Sequence, residues 1–228
     1  MTTQATTPAD FLRPLETAFP TVTDAEDRWL ASTLFRLLAK GEPVEDSRLA
    51  GAVGRPEAEL TATLAEPPFS RLLYRDDQGR IVGFGGLAVG DLAESPHRLM
   101  LDGRQLYAWC AGDALFLPVV LEREARVESR CPTSGEQISL AVSPQGFRDL
   151  EPSGAVMSFL DPDELAERAE AGGDVIRSFC RFVHFFASPE AARAWIADHP
   201  GTAEISITDG FEIGRRWVAH VWGAGADR

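Results

Sequence analysis

"RLLYRDDQGRIVGFGGLAV", residues 71–89, decides how the first half of this chain is read. Two apolar runs flank "DDQG" (76–79), whose aspartates and glycine suit a tight reversal, so the segment reads as a β-hairpin. What precedes it is helical. "DAEDRWLASTLFRLLAKG" (24–41) places Trp29, Leu30, Leu34, Leu37 and Leu38 on one broad face, with Asp24 as N-cap and Gly41 as the stop. "VEDSRLAGAVG" (44–54) and "RPEAELTATLAE" (55–66) read as two short helices, the second with Pro56 near its first turn. Three helices followed by a hairpin is the order of a winged helix.

Charge argues against the commonest use of that arrangement. The chain has 228 residues and a formal net charge of −13. Such a surface repels phosphate backbones. The helix in the recognition position, 56–66, is flanked by Arg55 but carries Glu57, Glu59 and Glu66 and no lysine. It is poorly matched to a phosphate lattice, and no nucleic-acid partner is expected. No apolar run approaches the roughly 18–20 residues of a membrane span, and "MTTQATTPAD" lacks the basic start and apolar core of a secretory signal. Three cysteines, an odd and low number, fit a reducing cytoplasm better than a disulfide framework.

Residues 1–23 read as a polar arm around a short apolar segment, "DFLRPLETAF", and residues 24–92 as the winged-helix-like domain. "GDLAESPH" (90–97) marks the change to a second domain, 93–228. There "HRLMLDGRQLYAWC" reads as strand, turn and strand, "CAGDALFL" as a short helix closed by Pro118, and "PVVLEREARVESRC" as a return to strand. "CPTSGEQISLAVSPQG" is a tight turn and a strand, and "VMSFL" is another strand. "DPDELAERAEAGG" is a helix capped by Asp161 and ended by glycines. "VIRSFCRFVHFFAS" reads as a buried strand, followed by a helix capped by Ser188, the strand "AEISIT", and a last helix in "DGFEIGRRWVAHVWG". The fold class is α+β: a winged-helix-like three-helix/hairpin domain, then a mixed or antiparallel sheet flanked by helices.

Few residues are candidates for chemistry. If "CAGDALF" opens a helix, Cys110 and Asp113 stand at i and i+3, on one face. The helix N-terminus favours thiolate, while the carboxylate opposes it unless it holds the proton, so the pair suits the sharing of one proton. A packed cysteine beside a capping aspartate fits the same spacing. Cys131, in "SRCPTSGEQ", resembles half of a zinc ribbon whose other half is missing, which leaves packing as its reading. As a strand, "RSFCRFVHFFAS" would point Cys180, Phe182 and His184 to one face and Arg181 to the other. Cys180 then either fills the core or lines an apolar pocket suited to a soft ligand, and His184 reads as a core histidine. P-loop, Rossmann, G-x-S-x-G and H-E-x-x-H signatures are absent, and "GFGG" (83–86) reads as a glycine-rich strand end.

"YAWCAGDALFLP", "ESRCPTSGEQISLAVSP" and "SFCRFVHFFASPEAARAWIADHPG" together resemble the three cysteine segments of the organomercurial (alkylmercury) lyases, in order, spacing and flanks. The resemblance covers about residues 95–205. It implies that Cys110 and Cys180 are catalytic thiols that also hold the Hg(II) product, and that Asp113 is the catalytic carboxylate and a further candidate ligand. It implies a structural role for Cys131, and makes 93–228 the catalytic domain. Some members carry a second cysteine after the one matching Cys180, where this chain has Arg181. The implied reaction is protonolysis of the carbon–mercury bond of R–Hg⁺, in the service of mercury detoxification and resistance. No organic cofactor is expected. Trp109 and Phe182 are the expected apolar pocket. The expected partners are the organomercurial, small external thiols for turnover and a mercuric reductase that takes the metal, with the chain a monomer or weak homodimer. A non-enzymatic carrier of Hg or Cu would use the same thiols, but it has no need of a proton donor beside them.

Overall fold

In a computed structural model of the chain, residues 7–18, 22, 24–92, 94–171 and 174–223 are described. Helix α1 (Pro8–Ala18) opens the fold, so part of the expected arm is an ordered amphipathic helix: Phe11 and Leu15 are buried, and α1 packs on the two later helices α7 (Pro162–Ala171) and α10 (Ile207–Trp222). Apolar residues four apart fall on one face and need a surface to cover them; the second half of the chain provides it. The rest of the expected arm, residues 1–6, 19–21 and 23, lies outside the described residues.

The three helices of the winged-helix order follow. They are α2 (Ala25–Leu38), α3 (Asp46–Val53) and α4 (Glu57–Leu64), and a four-residue turn α5 (Phe69–Leu72) leads into the hairpin. Asp24 caps α2 by accepting from the backbone N–H groups of Glu26 and Asp27, and Gly54 ends α3 in the left-handed conformation. Leu30, Leu34, Leu37 and Leu38 are buried as their spacing requires, each side chain contributing about 1.5–3 kcal/mol by leaving water. Trp29 departs from that expectation. It is 49% exposed, with the Arg36 guanidinium 4.6 Å from the ring centroid, so a cation rather than the core covers its face.

The hairpin is continuous with the sheet of the second half. Strands β1 (Leu73–Arg75), β2 (Ile81–Phe84), β3 (Leu87–Ala88), β4 (Arg98–Leu101), β5 (Arg104–Ala108), β6 (Ala125–Arg130), β7 (Gln137–Ser143) and β8 (Gly146–Glu151) form one sheet in the order β1-β2-β3-β5-β4-β6-β7-β8. Every pairing is antiparallel. Leu87 pairs with Ala108 and Ala88 with Tyr107, so the "GFGG" hairpin is bonded directly to the strand that delivers Cys110. A second antiparallel sheet, β10-β9-β11, comprises β10 (Phe185–Phe186), β9 (Val156–Leu160) and β11 (Thr202–Ser206). Helix α6 (Ala111–Val120) runs through Pro118 instead of stopping at it. Helix α9 (Pro189–Ala197) is capped by the Ser188 hydroxyl, as expected. Asp161 accepts from the Glu164 N–H at the start of α7, while the glycines expected to end that helix (172–173) lie outside the described residues.

The segment around Cys180 differs most from its expectation. It is not a strand. Asp174 caps a short helical turn, α8 (Val175–Ser178), and Cys180–Phe182 form a 3₁₀ turn before the chain enters β10. Asp174 accepts from the Arg177 N–H at 2.9 Å, and the Ser178 hydroxyl donates to the Asp174 carbonyl at 2.6 Å. These local bonds satisfy backbone groups that a strand would have paired across a ladder. The alternation of faces expected for Cys180, Phe182 and His184 therefore does not occur.

Candidate active site

Strand β5 ends at Ala108, and the chain turns through Trp109 and Cys110 into α6. Cys110 is the N-cap of α6: its backbone is extended and its sulfur accepts the Asp113 N–H at 3.4 Å. A thiol at this position faces unpaired N–H groups and the positive end of the helix, both of which favour thiolate. The same turn brings the Asp113 carboxyl back alongside the sulfur. The Ala111 N–H donates to the Val183 carbonyl at 3.0 Å, which ties the start of α6 to the 3₁₀ turn bearing Cys180. Ser158, fully buried on β9, completes the splice by donating to the Phe182 carbonyl at 2.8 Å and accepting the His184 N–H at 3.0 Å.

The result is a cluster of two thiols and one carboxyl. The ligand atoms of Cys110, Asp113 and Cys180 all lie within 4.8 Å of one another, and the Cys180 thiol donates to Asp113 Oδ2 at 3.7 Å. Exposure is 1% for Cys110, 2% for Cys180 and 6% for Asp113. Both thiols are free of disulfides, as is Cys131. Burial dominates the electrostatics. It pushes Asp113 up to about 7, against hydrogen bonds from both thiols and from the Cys110 backbone that hold the carboxylate down. Burial also raises Cys110 and raises Cys180 more strongly, while a hydrogen bond from Cys180 moderates the shift of Cys110. Near neutrality both thiols hold their protons while Asp113 is divided between its neutral and ionised forms, and Cys110 ionises ahead of Cys180.

Beside this cluster lies a cavity of about 50 Å³. Its walls include Trp109, Phe159 and Phe179, with Leu15 from α1 and Gly86 from the hairpin. Trp109 stands where the sequence put it. Phe182 does not line the cavity; it is half-buried, with the guanidinium groups of Arg168 and Arg181 at 4.3 and 5.1 Å from its ring centroid. The 3₁₀ turn rotates Phe182 away and brings Phe179 inward in its place. Arg181 itself is exposed. His184 is half-buried, and its Nε2 lies 2.8 Å from the Arg181 carbonyl, to which it donates. Cys131 is buried in the C-P-T-S-G turn; burial raises its pKa, but hydrogen bonds from Ser134 and from backbone N–H groups, that of Ala187 among them, outweigh this and lower it. It stands outside the cluster of Cys110, Asp113 and Cys180.

Gly86 is one of the site residues that sequence reasoning missed. Its φ is +96°, and a Cβ built on it would sit 2.6 Å from Asp113 Oδ1 and 2.7 Å from its Cγ. Absence of a side chain here makes the space the carboxyl occupies, while the Gly86 carbonyl accepts the Trp109 N–H at 2.9 Å. Gly86→Ala is expected to displace Asp113 and to destabilise the fold by about 1–3 kcal/mol through backbone strain. Single-turnover assays and chemical denaturation check this: wild-type values in both would show that the contact carries nothing.

A buried dithiol with a proton-bearing carboxyl defines a class of protein: one that seats a soft metal centre and can protonate what the metal releases. The family model described as alkylmercury lyase matches residues 92–219, and that described as the helix-turn-helix domain of alkylmercury lyase matches residues 10–85. Alkylmercury lyases from Staphylococcus epidermidis and Streptomyces lividans are similar, at 40% identity over 82% of this chain and 80% of the relative, and 37% over 88% and 87%, respectively. The mercury-bound form of MerB2 shares the fold, with a TM-score of 0.70, 24% identity, and coverage of 94% of this chain and all of that one. The chain belongs to the alkylmercury lyase family.

Proposed function

We propose that Cys110, Cys180 and Asp113 together break the carbon–mercury bond of an organomercurial by protonolysis, giving R–H and Hg(II). The observation that carries this reading is the buried convergence of two sulfurs and a carboxyl within 4.8 Å. Mercury is a soft cation and thiolates are the softest protein ligands. Cys110, at the helix N-terminus, attacks first, and its proton leaves with the group that mercury brought in, a small thiolate or hydroxide. Cys180 then joins, and its proton passes to Oδ2 of the ionised Asp113, toward which the thiol already points. Two sulfurs on mercury push electron density toward the carbon, and the protonated Asp113 delivers its proton there. The Hg–C bond breaks as the C–H bond forms. Hg(II) stays on Cys110 and Cys180 until an external thiol or a mercuric reductase removes it.

The apolar walls serve this sequence. Trp109, Phe159 and Phe179 surround the reacting carbon with groups that exclude water, which keeps the Asp113 proton from leaking to solvent. No organic cofactor enters these steps. The free thiols suit a reducing cytoplasm, and among the described residues no helix is long and apolar enough to cross a membrane. A carrier of Hg(II) or Cu(I) would gain nothing from a buried carboxyl beside its ligands, since burying one without a chemical use costs stability.

Headspace detection of benzene from phenylmercury, with excess small thiol, tests the reading. Wild type is expected to release benzene and Cys110→Ala none. Tight mercury binding by the wild type without benzene would make the chain a carrier.

A further inference from the structure

Tyr74, on β1, reaches across the molecule to the segment that carries Cys180. Its hydroxyl donates to Asp174 Oδ2 at 2.9 Å. Asp174 spends its other oxygen on the Arg177 N–H, so one carboxylate caps α8 and holds Tyr74 at once. The Tyr74 ring stands edge-on to Trp109, with centroids 4.9 Å apart. Burial, then Asp174, raises the phenol pKa, so the group is a neutral donor at any working pH.

Apart from the burial of Val175 and the Phe179 ring edge-on to Phe159 at 5.4 Å, a few polar bonds hold this segment. α8 is a single turn, and the residues from Asp174 to Val183 belong to no strand. Downstream, Ser158 and the Ala111–Val183 bond hold the far end of the 3₁₀ turn. Upstream, Tyr74 joins the turn to the hairpin, while Arg168 reaches the Ser178 carbonyl at 3.3 Å. Cys180 sits between these two fixed ends.

We infer that Tyr74 is a positioning residue for Cys180: its hydroxyl clasps the start of the turn and sets the reach of that thiol toward mercury held on Cys110. The inference rests on Cys180 being the second sulfur of the reaction proposed above. The hairpin of the winged-helix-like half thereby acts on the reaction, although Tyr74 touches none of the reacting atoms.

Tyr74→Phe keeps the ring against Trp109 and removes only the hydroxyl. Asp174→Ser keeps a capping oxygen and withdraws the acceptor. In each, iodoacetamide labelling mapped by peptide mass is expected to rise about tenfold at Cys180 and stay unchanged at Cys110, the size expected when one hydrogen bond to a charged group is lost. Single-turnover cleavage of phenylmercury is expected to fall about tenfold with capture intact, and the double variant to be no worse than either single one. Wild-type labelling and cleavage in Tyr74→Phe would overturn the inference, and so would equal rises at both thiols with a lowered melting temperature. If the wild type itself releases no benzene, the lyase reading fails, while the labelling ratio still reports on the clasp.

Discussion

Asp113→Asn is expected to capture phenylmercury stoichiometrically and to release benzene a hundred- to ten-thousand-fold more slowly than wild type, the range for loss of a positioned general acid. The amide fills the same space beside Gly86 and leaves both sulfurs in place. It cannot carry the proton from Cys180 to carbon. Rapid-quench quantification of benzene, with parallel titration of bound mercury, measures the two steps separately. Release at the wild-type rate would remove Asp113 from the role of proton donor.

The same substitution has a consequence for stability. Asp113 has an ordinary carboxyl value of 3.8 when unfolded and about 7 in the fold. Below about pH 4 the group is neutral in both states. Between pH 4 and 7 the unfolded chain gives up the proton that the folded chain keeps, so stability falls as pH rises through this window. The loss attributable to Asp113 is up to ~4 kcal/mol, complete once pH passes the folded value. Asp113→Asn lacks that dependence and is expected to be the more stable protein at pH 8, as measured by denaturant unfolding of the metal-free, reduced forms. A buried carboxyl retained at such a cost is one that chemistry uses.

Cys180→Ala is the second large effect. Cys110 keeps its helix-terminal position and its bond to the Asp113 N–H, so R–Hg⁺ is still captured. With one protein sulfur on mercury the Hg–C bond is less activated, and Asp113 loses the thiol that supplies its proton. Benzene release is expected to fall by about 10²–10³-fold, comparable to deleting one preorganised charge-stabilising group. The mercury adduct should also exchange readily with small thiols, because a single sulfur holds it. Cleavage at the wild-type rate would show that one protein thiol suffices.

Much of this architecture was legible from local signals. Asp24, Ser188 and the i, i+3 pair Cys110 and Asp113 each act within one turn of chain, and caps of that kind are visible in sequence. Around Cys180 the aromatic run fits a buried strand as well as it fits what is there, and apolar periodicity does not separate the two. The deciding residue is Asp174, whose cap starts a helical turn where alternation suggested a strand. That error moved Phe182 into the pocket and left Phe179 out. Gly86 and Leu15 were beyond local reading for a different reason. Gly86 is needed because of a carboxyl on another element, and Leu15 reaches the cavity only because α1 folds back across α7 and α10. Neither contact leaves a mark in the flanking residues. The family likeness carried the roles of the thiols, and the structure adds the reason Asp113 is raised to about 7: burial outweighs the hydrogen bonds that both thiols give its carboxylate.

Native mass spectrometry of the reduced chain after one equivalent of phenylmercury, with no external thiol, tests the central claim most directly. Cleavage at the dithiol predicts a chain that has gained one mercury, lost two protons and carries no phenyl group. It also predicts one benzene per chain in the headspace, and Cys110 and Cys180 both protected from alkylation. A chain that retains the phenyl group on mercury, stable over hours with both thiols reduced at the start, would contradict it.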